Sequence, residues 1–275
     1  KAVALGLTQK GSAVLAKLLA GREGGRIVHS VCLCSDIVGY TTLVENLSPG
    51  AARNLLNRYF SHFIPLIEEY GGHVMDIVGD AVLSVWLADE GAKVACQRAR
   101  AATLALDRMM NGENREEGAL PTRFGLHYGP VFLGELGNTH HREIRVVGNI
   151  VNTASRIQGA NKTLHTRILA SAETMTADGP GYTRVLGCFQ LAGKAQAITL
   201  HEISSTVLSE DLTDHFAVGV AMYAAREYEQ ACTCFMTLLA ENPNDGPAHF
   251  FAARCRAGGE PPDIAAKGVV SLSDK

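Results

Sequence analysis

Gly71–Leu87 reads GGHVMDIVGDAVLSVWL. His73–Val78 and Ala81–Leu87 are two strand-like runs with only Gly79-Asp80 between them, the two-residue spacing that closes a β-hairpin. Gly71-Gly72 stops the helix before it, which Ser48 caps and Pro49 opens. Leu55, Leu56, Tyr59, Phe60, Phe63, Ile64 and Ile67 recur there at helical spacing. Upstream, residues 27–38 (IVHSVCLCSDIV) are β-rich and mostly apolar, which predicts a buried strand. Downstream, residues 91–110 predict a helix, and Arg123–Leu136 a second hairpin turning near Gly129-Pro130. Asn149–Gln158 predicts a short helix, and 183–191 and 196–203 two closing strands. This order predicts an α+β layer with helices on one face of a sheet.

The chain has 275 residues, 47% of them hydrophobic and 19% charged, ordinary proportions for a globular protein. A formal net charge of −3 supplies no basic field for a phosphate backbone, which argues against a nucleic-acid partner. No apolar run approaches the roughly 18–20 residues that span a bilayer, and the start has no signal-peptide pattern. Residues 12–20 (SAVLAKLLA) read as a short helix, and the sequence opens as a piece of something longer would. The seven cysteines include no C-x-x-C pair and read as buried free thiols of a reducing compartment, hence a cytoplasmic domain. His62 and His73 read as structural, and His140-His141-Arg142 as an exposed loop. From Ala221 to Cys255 an Ala-rich helix, the turn Asn242–Asp245 and a second helix resemble one tetratricopeptide unit, which alone cannot bury its faces. The divisions are 1–26 (linker or signalling helix), 27–205 (main domain), 206–257 (helical hairpin) and 258–275 (irregular tail).

Asp36 ends an apolar strand, where a carboxylate needs partners. Gly39, three residues on, allows a tight loop whose N–H groups suit phosphate. Asp80 sits at the tip of the 73–87 hairpin, and pairing that hairpin beside strand 27–38 brings both carboxylates to one rim. Two carboxylates on one rim suit Mg²⁺, which takes oxygen ligands and leaves positions for phosphates. Asn152 and Arg156, four apart, share a helix face and suit a sugar oxygen and a developing phosphate charge. Each feature alone is generic: a strand-end Asp, a Gly-Asp turn, a polar helix face.

Taken in order, SDIVGYT (35–41), GGHVMDIVGDAVLSVW (71–86), RFGLHYGPVFLGELG (123–137) and VVGNIVNTASRI (146–157) resemble the catalytic domain of class III nucleotidyl cyclases across residues 27–203. The resemblance implies a ferredoxin-like βαββαβ core with a largely antiparallel sheet. It implies two Mg²⁺ or Mn²⁺ ions held by Asp36, Asp80 and the Ile37 carbonyl, and phosphate contacts from Gly39, Tyr40, Thr41, Arg123 and Lys194. Asn152 would orient the ribose and Arg156 would stabilise the transition state of in-line attack on the α-phosphate. The substrate would be a nucleoside triphosphate, ATP by family default. Metal aspartates would come from one subunit and Asn and Arg from the other, so a chain carrying both sets implies a homodimer. Family members also place a sensor or membrane region upstream.

Two positions depart from the family. Asp76 stands where adenylate cyclases carry Lys, and Arg145 where they carry Asp or Thr. An acidic group with a cation near O6 suits guanine, whose O6 and N7 arginine commonly reads, and some bacterial relatives make pyrimidine cyclic nucleotides. Alternatively the two residues pair with each other, since a charge pair satisfies both groups. A non-catalytic nucleotide-binding domain is the remaining reading; retention of both metal aspartates, Asn152 and Arg156 weighs against it.

Overall fold

The computed structural model describes residues 25–112, 117–138, 141–175, 182–261 and 268–272, with backbone alone at 137–138 and 141–144. The helix read at 12–20 and His140 lie outside the described residues. Contacts divide the chain into two compact units, Lys1–Gln158 and Gly159–Lys275.

The first unit runs β1 (Arg26–Ile37), α1 (Tyr40–Glu45), α2 (Pro49–Glu69), β2 (His73–Val78), β3 (Ala81–Leu87), α3 (Ala92–Asn111), β4 (Thr122–Asn138) and β5 (His141–Val147), then enters α4 (Asn149–Leu164). Its strands lie in the order β2-β3-β1-β4, with β5 on β4, and all these neighbours are antiparallel. The crossovers β1-α2-β2 and β3-α3-β4 interleave, which is the βαββαβ arrangement. The Gly79-Asp80 loop forms as read: Val78 pairs with Ala81, and Gly79 takes φ +65, a conformation that costs glycine little. Ser48 caps α2 by accepting the Ala51 N–H at 3.3 Å.

Helices cover both faces of this sheet rather than one. Successive residues of a strand point to opposite sides. Phe124 of β4 meets Phe63 of α2, ring centroids 6.4 Å apart. Its neighbour Gly125 lies against α4, where an added Cβ would sit 2.2 Å from the Gln158 N and 2.5 Å from the Ala154 carbonyl oxygen. Only glycine permits that backbone approach. On the α4 side Cys32, Met75, Val85, Val131, Leu133, Ile150 and Ala154 form one buried cluster, so the mixed apolar pattern of β1 serves two cores.

The hairpin expected to turn at Gly129-Pro130 turns later. Thr122–Asn138 is one continuous strand that pairs with β1 from Arg26↔Leu133 to Ile37↔Thr122, and Pro130 sits opposite His29. A proline within a strand is tolerated where the ladder asks no N–H of it. The hairpin closes instead between Asn138 and His141. His141 and Arg142, read as loop, therefore belong to β5.

The second unit holds the end of α4, β6 (Ile168–Ser171), a short 3₁₀ turn, β7 (Thr183–Leu191), β8 (Ile198–Ile203), α5 (Glu210–Ala224), α6 (Tyr228–Glu241), α7 (Gly246–Arg256) and β9 (Val270–Leu272). β8 pairs antiparallel with β6 and β7, and β9 joins β7 in parallel within the segment expected to be irregular. Three helices stand where two were expected. The run around Ala221–Leu239 breaks at Arg226, φ +67, with Arg226 N–H donating to Tyr223 O and Glu227 N–H to Met222 O, the Schellman closure of a helix end. Phe216, Phe235 and Phe251 fill the core beneath these helices. Arg184 of β7 is buried there between Glu202 and Asp245, each 2.7 Å away, and stacks over Phe216.

Candidate active site

The ladder between β1 and β3 ends at Ser35↔Val82, while that between β1 and β4 continues to Ile37↔Thr122. Val38 donates its N–H to Pro121 O at 2.7 Å on the β4 side. Ile37 therefore turns its N–H and C=O to the other side, where no strand remains. Asp80, at the hairpin tip, fills that gap: its Oδ2 accepts the Ile37 N–H at 3.1 Å. Asp36 and Asp80 thus meet at one rim, as the sequence predicted, and Arg123 lies directly across from Asp36 in register. Burial, then the Asp80 charge and a shared hydrogen bond with Asp80, push the Asp36 carboxyl up to about 6, while the Arg123 charge pulls it down. Two half-buried carboxylates that crowd each other favour a proton or a cation between them. Tyr40 opens α1 behind Gly39, φ +71; its phenol is raised by burial and then by the Asp80 charge, which puts it on the same rim.

The donors here are two carboxylates and the Ile37 carbonyl, hard oxygen ligands that fit Mg²⁺ or Mn²⁺ and leave room for water and phosphate oxygens. Among the described residues no group of three or more His, Cys, Asp or Glu side chains gathers at a metal-holding spacing.

Asp76 and Arg145 form an ion pair through Oδ2 and Nη1, and Asp76 Oδ1 accepts the N–H of Ile77 at 3.0 Å. β2 and β5 stand far apart in the strand order, so the contact requires the β4–β5 arm to fold across the sheet. Val146, beside Arg145, packs on the Met75–Val85 cluster and shows how it does so. A bulge after Val74 buries both Val74 and Met75 and sets Asp76 opposite Leu83.

Asn152 and Arg156 lie on one exposed face of α4, and neither side chain makes a hydrogen bond or ion pair with another described residue. The opposite face is fixed by buried Ile150, Thr153, Ala154 and Ile157, by Thr153 Oγ1 donating to Asn149 O at 2.8 Å, and by the Gly125 contact. Lys194 belongs to the second unit, in the turn between β7 and β8, where its N–H donates to Leu191 O at 3.0 Å. The structure thus assembles Asp36, Ile37, Tyr40, Asp80 and Arg123 at one rim, Asp76 with Arg145 in a pair, and Asn152 with Arg156 on a helix face.

The sequence reading took Tyr59 for helix core and passed over Thr122 and Asn111. Tyr59 is fully buried beneath the acidic rim, with its hydroxyl 3.2 Å from Thr122 Oγ1, and burial drives its phenol upward. Residues 63 apart in sequence leave no spacing signal for such a contact. Of the histidines read as structural, His62 Nε2 lies 3.3 Å from Glu117 O, and burial lowers His73. Burial pushes the thiols of Cys32 and Cys34 up to about 12, which keeps them inert.

The family model described as "Adenylate and Guanylate cyclase catalytic domain" matches residues 27–202. Adenylate cyclase 1 of Rhizobium meliloti is 28% identical over 204 residues, covering 71% of this chain and 31% of that protein. The terminal-differentiation-specific adenylate cyclase of Dictyostelium discoideum is 25% identical over 245 residues, covering 84% of this chain and 12% of that one. That coverage exceeds what residues 1–202 amount to, so the likeness runs into the helices after β8. The chain spans under a third of either relative's length. Among solved structures, the guanylate cyclase domain of RhGC from Catenaria anguillulae in complex with GTP shares the fold, with TM-score 0.57, 24% identity, and coverage of 66% of this chain and 99% of that one. No described helix is long and apolar enough to cross a membrane.

Proposed function

Because the chain belongs to the adenylate and guanylate cyclase catalytic-domain family over residues 27–202, we propose that it converts a nucleoside triphosphate to a 3′,5′-cyclic nucleotide and pyrophosphate. The observation that carries this reading is the Asp36–Asp80 rim, with the Ile37 backbone turned toward it and Arg123 in register beside it. Asp36, Asp80 and the Ile37 carbonyl would hold two Mg²⁺ or Mn²⁺ ions. When bound, these supply activation of the ribose 3′-hydroxyl and charge neutralisation on the triphosphate. Arg123, Lys194 and the Gly39–Thr41 turn would hold the phosphate chain, so that pyrophosphate leaves in line with the attacking oxygen. Asn152 would orient the ribose. Arg156 would meet the charge that grows on the α-phosphate oxygens, where a guanidinium gains most in the transition state.

Asn152 and Arg156 face solvent without partners among the described residues. That exposure supports a site completed between two copies, the acidic rim of one facing the α4 face of the other. Val38, Leu43 and Val78, exposed around the acidic rim, are the apolar surface such an interface would bury. A closed two-fold pairing gives two equivalent sites.

ATP is the substrate we put first, supported by relatives that are themselves adenylate cyclases. Guanine is the second reading: Asp76 and Arg145 satisfy each other as an ion pair, and a guanine entering between them would meet Arg145 at O6 and Asp76 at its N–H donors. The test is incubation with Mg²⁺ or Mn²⁺ and each of ATP, GTP, CTP and UTP, with products identified by mass spectrometry. Cyclic AMP alone supports the first reading and cyclic GMP the second; a pyrimidine product contradicts both. Absence of any cyclic product at high protein concentration contradicts the enzyme reading.

A further inference from the structure

The end of β4 that carries Arg123 is held by a side chain outside the sheet. Asn111, the last residue of α3, uses its amide as a strand would use its backbone. Its Oδ1 accepts the Thr122 N–H at 3.0 Å, and its Nδ2 donates to the Thr122 carbonyl at 3.1 Å. The same Nδ2 donates to Asp107 Oδ1 at 2.7 Å, one turn back on the helix. A carboxylate only accepts, so Asp107, 1% exposed, fixes which way the amide faces. Thr122 is gripped a third time through its hydroxyl, which donates to Leu120 O at 2.7 Å and lies 3.2 Å from the Tyr59 hydroxyl.

Thr122 is the residue opposite Ile37, and Arg123 is the residue opposite Asp36. β1 has lost its β3 ladder at this point, so β4 and the Asp80 bond to the Ile37 N–H set where Asp36 and Ile37 stand. β4 begins at Thr122, and just beyond it the Val38 N–H to Pro121 O bond at 2.7 Å continues the link to β1. We propose that Asn111, oriented by Asp107, is a positioning residue for the acidic rim: it anchors the first residue of β4 and thereby fixes Asp36, Ile37 and Arg123 for cation binding. The inference rests on the reading of Asp36 and Asp80 as the cation-holding pair.

Mn²⁺ binding, followed by loss of the free-ion signal in electron paramagnetic resonance, tests it without turnover. The titration compares wild type with Asn111→Ala, Leu106→Ala and Asp36→Ala. Leu106 is fully buried on the same helix and carries no polar side-chain atom, so its truncation loosens α3 while leaving the Asn111 hydrogen bonds to Thr122 available. Wild type is expected to bind Mn²⁺ and Asp36→Ala to lose it. Asn111→Ala is expected to raise the half-saturating Mn²⁺ concentration about tenfold, as removal of an outer support to a metal ligand typically does. Leu106→Ala is expected to stay near wild type, measured well below the melting temperature of every variant. Should Asn111→Ala not fold, Asn111→Asp carries the same expectation, because it keeps the shape and the acceptor while setting oxygens against Thr122 O and Asp107. Equal Mn²⁺ affinity in wild type and the Asn111 variant, or equal weakening by Leu106→Ala, overturns the positioning role alone. A wild type that takes no Mn²⁺, or an Asp36→Ala variant that binds it as well, overturns the cation reading and this inference with it.

Discussion

Asp80→Asn is expected to lower cyclic-nucleotide formation about a thousandfold, roughly 4 kcal/mol of transition-state stabilisation, without lowering the melting temperature. The two halves of this expectation have separate causes. Asparagine keeps an oxygen for the Ile37 N–H, so the hairpin tip stays attached to the end of β1. What is lost is a charge that, after burial, is the main influence pushing the Asp36 carboxyl up to about 6. Relieving it favours the folded state, whereas the proposed cation site needs both carboxylates. A site that opposes stability until its ligand arrives is a common mark of function. Turnover by purified protein and a thermal melt check the two halves together. Near-normal turnover would remove Asp80 from the cation site, and a fallen melting temperature would make its role structural.

Arg184→Ala is expected to lower unfolding free energy by about 3–5 kcal/mol, as loss of one member of a buried charge cluster does. Arg184 is 5% exposed and reaches Glu202 and Asp245 at 2.7 Å each. The Glu202 contact is a hydrogen bond through Nε; the Asp245 contact is an ion pair without hydrogen-bond alignment. Asp245 also caps α7 by accepting the Ala248 N–H at 2.8 Å, so Arg184 ties a helix start to β7 and β8. Burial raises the Glu202 carboxyl and the Arg184 charge draws it back; removing the arginine strands both acids. The Arg98–Glu90 pair has the same 2.7 Å separation but lies in solvent, and Arg98→Ala is expected to leave the melt unchanged. Urea unfolding of both variants separates the cases. Equal, small effects would show that the cluster is dispensable.

What the sequence disclosed depended on whether the deciding contact was local. The Gly79-Asp80 loop, the Ser48 cap and the α2 stripe are written in residues within one turn of each other, and they formed as read. Gly129-Pro130 is as strong a local turn signal, yet it lost to a twelve-residue pairing with β1 that no local window contains. Helix ends show the same divide. Gly258 stops α7 with φ +88 and is legible as glycine, whereas Arg226 closes α5 with φ +67 and carries no such cue. Asp36 and Asp80 stood out because chemistry demands carboxylates. Ile37 entered through resemblance alone, and the register of β1 against β4 supplies its reason. Asp76 with Arg145 stood as one of two alternatives and formed as a pair, whereas Asn111 with Thr122 was invisible as a contact, since it depends on where two elements cross.

The proposal that each site is shared between two copies is tested most directly by complementation. Asp36→Ala spoils the acidic rim and Arg156→Ala spoils the α4 face, so each variant alone should be nearly inactive with every triphosphate. Mixed in equal amounts and allowed to exchange, they form hybrid dimers in which one of the two sites draws both intact halves. The mixture should then recover about a quarter of wild-type cyclic-nucleotide formation, the share that random pairing gives. A mixture as inactive as its components would contradict a site built across two copies and place all the chemistry within one chain.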